Sequence, residues 1–180
     1  RDADGVWQLN TPTLGAANQV RPTGDASLLK INEWVASGDV LLSDDFIELY
    51  NGDTLPVSLG GLHLTDEPVA RPGKHTIAPL SFIAAGGWTL FNADDNQQAG
   101  AEHTNFNLDR DGGMIGLFAA DLSPIDQVLY IPQKDDTSQG RNGDGNPLFV
   151  YYSPPNLGAT NFSTAGEVVS TLTNYTDVWK

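Results

Sequence analysis

Cysteine is absent from the 180 residues. That one absence removes disulfide staples, thiolate zinc sites, iron–sulfur clusters and cysteine nucleophiles together. Basic residues are scarce: nine Lys and Arg stand against 23 Asp and Glu, a formal net charge of −14. No pooled cationic surface is left to displace counterions from a phosphate backbone or to bind an anionic bilayer, so nucleic acid is not an expected partner. No apolar run approaches the about 20 residues of a helical membrane span, and direct membrane insertion is not expected. Histidine is thin too, with three copies and none at His-Glu-x-x-His spacing, so no catalytic zinc motif is present. A Gly-x-Ser-x-Gly elbow is missing, and no glycine-rich phosphate loop follows a strand pattern. Hydrophobic residues still make up 39% of the chain, enough for one sizeable core. The charged fraction of 18% is too low for an acidic disordered tail.

Punctuation is what the chain has in plenty. Nineteen Gly and 11 Pro cut it into pieces too short for most amphipathic helices. The pieces alternate. Leu29, Ile31 and Val35 share one face at period 2, with Lys30 and Asn32 opposite. Ile47 and Leu49 oppose Glu48 before the turn Asn51-Gly52-Asp53. Val57-Ser58-Leu59 and Leu62-His63-Leu64 repeat the pattern across a Gly60-Gly61 kink. Further strands are expected at His75–Ile77, Trp88–Phe91, Met114–Phe118 and Ile125–Tyr130, while Glu167–Leu172 reads either way. Short strands with turns every ~8–12 residues predict an all-β fold, a sandwich or a barrel.

An internal echo is the second signal. Arg1, Asp4-Gly5, Trp7 and Thr11-Pro12-Thr13-Leu14-Gly15-Ala16-Ala17-Asn18 stand near the start. Arg141, Asp144-Gly145, Phe149 and Ser153-Pro154-Pro155-Asn156-Leu157-Gly158-Ala159-Thr160-Asn161 stand in the same order near the end. A tandem array gives this pattern. The expected organisation is residues 1–24 as the closing strand and linker of an upstream repeat, 25–161 as one sandwich, and 162–180 as a linker and the start of a following domain.

No catalytic residue, cofactor-binding residue or metal ligand can be assigned from motifs. Adjacent carboxylates abound at Asp44-Asp45, Asp94-Asp95, Asp135-Asp136 and Asp109/Asp111, the residue type of glycosidase pairs but also of solvated turns. Glu33 shares the parity of Ile31 and Val35, which places a carboxylate on the inward face. There it must be met by an Arg or by N–H groups at a bulge, or else pair with Glu48 in catalysis. His63, between Leu62 and Leu64, falls on the face away from both, while His75 and His103 stand at loop–strand junctions. Calcium could take oxygen ligands at Asp2–Gly5, Asn142–Asn146 or Asp109–Gly113, although none of them is an EF-hand loop and plain Asx turns fit equally well. Asn161-Phe162-Ser163 and Asn174-Tyr175-Thr176 match the glycosylation acceptor pattern. Trp34 and Tyr50 fall opposite the inferred core and outline a candidate aromatic surface, or a contact with a neighbouring domain.

These segments, in this order, resemble a lamin tail domain of the bacterial type. The residues are Ile31-Asn32-Glu33, Asp45–Asn51, Val57–Asp66, Ile77-Ala78-Pro79, Gly86-Gly87-Trp88 and His103–Leu108. Ser138-x-Gly140-Arg141, Asp144-Gly145 and Pro155–Asn161 are similar to the closing signature of that family. The chain departs from the family pattern at His63 and at the polar Asn107–Arg110. The resemblance implies an immunoglobulin-like antiparallel β-sandwich and no catalytic residues. It implies a non-catalytic binding, adhesion or spacer module of a larger exported bacterial protein, secreted or at the cell surface. The expected partners are neighbouring domains of the same polypeptide and a protein or carbohydrate ligand. The alternative is an accessory domain of a secreted hydrolase whose catalytic domain lies elsewhere in the parent chain.

Overall fold

Short strands joined by turns account for nearly all regular structure in the computed structural model, which describes residues 8–162 and 168–169. Among the described residues the only helical element is a 3-10 turn at Ala26–Leu28, begun by the Asp25 carboxylate accepting the Ser27 N–H at 2.8 Å. The strands are β1 (Asn10–Thr11), β2 (Gln19–Val20), β3 (Leu29–Val35), β4 (Asp45–Asn51), β5 (Val57–Ser58), β6 (His63–Thr65) and β7 (His75–Thr76). After them come β8 (Phe82–Ile83), β9 (Trp88–Ala93), β10 (Gly113–Phe118), β11 (Pro124–Tyr130), β12 (Ser138–Arg141), β13 (Phe149–Tyr152) and β14 (Val168–Val169).

Six of these form one antiparallel sheet in the order β14-β13-β12-β3-β4-β9. A second antiparallel sheet runs β11-β10-β6-β7, and β1–β2 and β5–β8 are two-stranded pairs. The core lies between the two larger sheets. Leu29, Ile31, Trp34, Ile47, Leu49 and Phe91 come from one side, and Leu64, Ile115, Leu117, Val128 and Tyr130 from the other, all at most 3% exposed. Period-2 alternation explains most of this packing. The Trp34 ring is edge-on to Phe149 at 5.5 Å and tilted against Tyr130 at 6.2 Å. An ion pair joins the sheets where β12 stops pairing with β3. The Arg141 guanidinium donates to Asp126 of β11 at 2.8 Å and to the Ile31 carbonyl at 2.8 Å, and Asp126 accepts the Ile31 N–H at 2.8 Å.

The strands expected from alternation are found, with one correction of parity inside β3. Ile31 faces Leu49 and Glu33 faces Glu48, so Asn32 is an extra residue, a β-bulge. The bulge turns the side chains of Asn32 and Glu33 to the same side and reverses the alternation beyond them. Trp34 therefore lies in the core, fully buried, and not on the outer face. Glu33 lies on the outer face and not among the core side chains, and Val35 is buried without belonging to the core cluster. Tyr50 does stand outside, half-buried, tilted against Trp88 at 6.0 Å. His63 is half-buried on β6, with its Nδ1 at 3.1 Å from the Thr76 hydroxyl.

Periodicity failed to signal two strands of the larger sheet. β12, Ser-Gln-Gly-Arg, is buried throughout although it carries no apolar side chain. β13, Phe-Val-Tyr-Tyr, pairs with it from Phe149↔Arg141 to Tyr152↔Ser138. Asp2–Gly5, Asn174–Thr176 and most of 162–180 lie outside the described residues.

Candidate functional site: a sealed carboxylate cluster

The bulge sets the chemistry of the outer face. Directly opposed residues on antiparallel strands bring their side chains within a few ångströms, so the Glu33↔Glu48 pairing puts two carboxyl groups side by side. Both are 0% exposed. Burial is affordable only where polar partners replace water, and the partners come from Asn32 of β3 itself and from residues 138–158, while Glu33 Oε2 is left without one. Glu33 Oε1 accepts the Ser138 hydroxyl at 2.6 Å and the Asn156 N–H at 3.1 Å. Glu48 Oε1 accepts the Asn32 amide at 2.9 Å, and its Oε2 accepts the Gly158 N–H at 2.5 Å.

A third carboxylate closes the cluster. Asp144, on the loop between β12 and β13, accepts the Asn32 amide at 3.0 Å, the Trp88 indole N–H at 3.1 Å and the Asn161 N–H at 3.0 Å. Asn161 is 2% exposed, and its amide donates to the carbonyls of Asn32 at 3.2 Å and Arg141 at 3.0 Å. That amide passes directly over Gly140. A Cβ built there would stand 3.0 Å from Asn161 Nδ2 and 3.0 Å from the Asn32 carbonyl, so any side chain at this position must push the amide or the strand backbone aside by a few tenths of an ångström. Residues 155–161 thus form a plug over the outer face of β3, β4 and β12.

The plug decides the charge state beneath it. Burial pushes Glu48 up to about 7, against the pull of its Asn32 and Gly158 hydrogen bonds, and neighbouring Glu33 and Asp144 raise it further. Burial raises Glu33 as well, opposed by Ser138 and Asn156. Paired carboxyls with raised affinity for protons are the usual make-up of an acid–base site. Here they have no access, because the plug covers both.

The other predicted carboxylates hold turns. Asp136 accepts the N–H groups of Asp39, Val40 and Leu42, and Asp135 accepts the Ser37 hydroxyl at 2.5 Å. Asp45 takes the N–H groups of Gly38 and Leu108, each at 3.3 Å, and Asp44 takes the Ser43 hydroxyl at 2.7 Å. Asp109 closes an Asx turn on the Asp111 N–H at 2.9 Å. Asp94 accepts the Asn96 N–H at 3.1 Å and lies 2.6 Å from His103 Nδ1. The neighbouring Thr104 hydroxyl donates to the Phe106 carbonyl at 2.7 Å. His75 is 2% exposed, and burial lowers its affinity for protons. Among the described residues, no group of three or more His, Asp and Glu is placed to hold a metal ion.

Of the residues singled out from the sequence, Glu33 and Glu48 come together, whereas Trp34 and Tyr50 are parted by the sheet. The outer aromatic pair is Tyr50 with Trp88. Sequence reasoning placed Ser138, Asp144, Asn156, Gly158 and Asn161 in a closing signature, with Asp144 also a calcium candidate and Asn161 a glycosylation candidate, but gave none of them a contact with the glutamate pair. The repeated Leu-Gly-Ala-x-Asn string was the available sign that this stretch carries a fixed structure. Beside the plug runs an apolar groove of about 490 Å3, lined by Leu41, Leu42, Pro154, Pro155, Leu157 and Ala159.

No curated protein and no solved structure matches the chain. The family profile of the Lamin Tail Domain matches residues 22–132. The match holds the glutamate pair and stops short of the plug that covers it. With more than half of its length matched and an immunoglobulin-like antiparallel sandwich as its fold, the chain belongs to the lamin tail domain family.

Proposed function

We propose that this lamin tail domain is a non-catalytic binding, adhesion or spacer module of a larger exported bacterial protein, secreted or held at the cell surface. The observation that carries the reading is the sealed glutamate pair. The two carboxyls best tuned for acid–base work are both 0% exposed and engaged in holding the plug. A net charge of −14 supports an extracellular setting with neither nucleic acid nor bilayer as partner. The echo of the plug near the start supports neighbouring domains of the same polypeptide as partners. The apolar groove at Leu41 and Pro154, with Val40 81% and Leu41 66% exposed beside it, favours a protein over a carbohydrate as ligand. The module works without a cofactor.

The test is the identity of the parent polypeptide at the cell surface. Intact cells are shaved with protease, and the released peptides and the intact mass of the parent are determined. A long parent with several such sandwiches supports the reading. A parent that also carries a catalytic domain makes this module an accessory of a secreted hydrolase. Recovery of the chain only from the cytoplasm overturns the exported placement.

A further inference from the structure

The plug has a double, and the double is uncovered. Pro12-Thr13-Leu14-Gly15-Ala16-Ala17-Asn18 and Pro155-Asn156-Leu157-Gly158-Ala159-Thr160-Asn161 differ only at Thr13/Asn156 and Ala17/Thr160. Their backbones agree as well: each turns at its Leu-Gly, with Gly15 at φ +75° and Gly158 at φ +77°. Each lies in a loop between antiparallel strands, β1–β2 for the first and β13–β14 for the second. The Leu-Gly turn is therefore a property of the segment's own sequence, since among the described residues the first copy keeps it with no carboxylate pair beneath.

The groups by which 155–161 grips the sheet are the N–H groups of residues 156, 158 and 161 and the amide of Asn161. All have counterparts in residues 12–18: the N–H groups of Thr13, Gly15 and Asn18, and the amide of Asn18. The side chains at the two differing positions lie outside this set of contacts. The Asn156 amide donates within the loop, to the Thr160 carbonyl at 3.0 Å. Among the described residues, no carboxylate accepts from 12–18, and Leu14 at its tip is fully exposed. A preformed segment has little ordering entropy left to lose on docking.

We propose that residues 12–18 are a preformed capping segment that docks on the buried glutamate pair of a second lamin tail sandwich, as 155–161 docks on Glu33 and Glu48 here. The receptor is the cross-strand glutamate pair with the small residue of Gly140 beside it. The ligand chemistry is a Pro-x-Leu-Gly-Ala-x-Asn turn presenting three backbone N–H groups and one amide. This deepens the tandem reading above: successive sandwiches are clasped by closely similar plugs, and a plug freed from its own sheet fits any other copy.

Two measurements on the full chain test it. In the first, N156T/T160A gives the cis plug the side chains of 12–18 at both differing positions. Its melting midpoint is expected to stay within about 2 °C of the wild type, while G158A/N161A, which removes the left-handed glycine and the amide, loses about 10 °C. An N156T/T160A loss as large as that of G158A/N161A overturns the proposal. In the second, a synthetic peptide of residues 8–20 is titrated into G158A/N161A, whose own plug is loosened. The peptide is expected to raise the midpoint, and the same peptide carrying G15A/N18A is not. Equal effects of the two peptides overturn docking between copies. If G158A/N161A does not fold, N161A alone serves as the receptor. The parent mass reports separately on the array. Peptide docking with a single-module parent refutes the array and supports the plug, whereas a multi-module parent without peptide docking refutes the plug alone.

Discussion

Replacing Glu48 with Gln and following stability with pH interrogates the sealed cluster most directly. Glu48 holds its proton to about pH 7 in the folded chain, against 4.5 for a solvated glutamate. Between those values the native state binds a proton that the unfolded chain has released, so stability must fall as pH rises. The contribution is full below 4.5 and is lost as pH passes through about 7. The whole span corresponds to about 3 kcal/mol, of which roughly 2–3 kcal/mol falls between pH 5 and pH 8. At about 2–4 °C per kcal/mol for a chain of this size, that is roughly 5–10 °C in melting midpoint. His75 pulls the other way, since burial lowers its proton affinity and its penalty grows on acidification. It is present in both proteins and cancels when E48Q is subtracted from wild type. Glu33 cancels in the same way to first order. Urea denaturation of both proteins at half-unit steps from pH 5 to 8 is the assay. The stability of wild type relative to E48Q is expected to drop by 2–3 kcal/mol across the series. A difference that stays constant would falsify the reasoning, because Glu48 would then be ionised beneath the plug already at pH 5.

Three further outcomes follow from the same contacts. Gly140→Ala forces a methyl to within 3.0 Å of the Asn32 carbonyl and the Asn161 amide, and is expected to cost about 2 kcal/mol in denaturant titration. Arg141→Met removes the guanidinium from Asp126 and from the Ile31 carbonyl at the join of the two sheets, and leaves Asp126 with the Ile31 N–H as its hydrogen-bond donor. A loss of about 3 kcal/mol is expected, and a loss below about 1 kcal/mol would show that the pair carries no strain of burial. Added calcium or a chelator is expected to leave the melting midpoint unchanged, since Asp109 and Asp144 each accept N–H groups from the chain itself. A shift of several degrees would assign calcium a structural role.

Hydrophobic alternation made the two faces of β4 legible, because Ile47 and Leu49 recur at period 2 and meet the core while Glu48 stands opposite. It misplaced Glu33 and Trp34 for one reason, the bulge at Asn32. A bulge inserts a residue without a sequence mark when no glycine takes part in it. Parity counted from Leu29 is right as far as Ile31 and inverted from Glu33 on. β12 was invisible for a different reason. Its residues are buried by hydrogen bonding: Ser138 lies under Glu33, Gly140 lies under the Asn161 amide, and Arg141 reaches across to Asp126. Hydropathy scores such a strand as a loop. The closing string Pro155–Asn161 was recognisable as a signature, yet its purpose could not be read, because the glutamates it covers stand more than 100 residues earlier.

That distance shapes how the domain is completed. Ser138 reaches Glu33 across 105 positions, Gly158 reaches Glu48 across 110, and Asn156 reaches Glu33 across 123. β3 and β4 can pair early as a local hairpin, but that pairing sets two carboxyls side by side before their partners have arrived. Until β12 and the plug dock, those carboxyls need water, so the outer face of the sheet must stay wet and open. Docking of 155–161 therefore does more than cover a surface. It changes the protonation of Glu48, dries β3 on its second side, and lets Asn32 join the buried set. Closure contacts this distant cost chain entropy that local hairpins avoid. They also tie the integrity of the glutamate pair to the last turn before residue 162. The segment Pro155–Asn161 is the one that locks β3 and β4, which makes closure of the sandwich sensitive to tension or contact near residue 162.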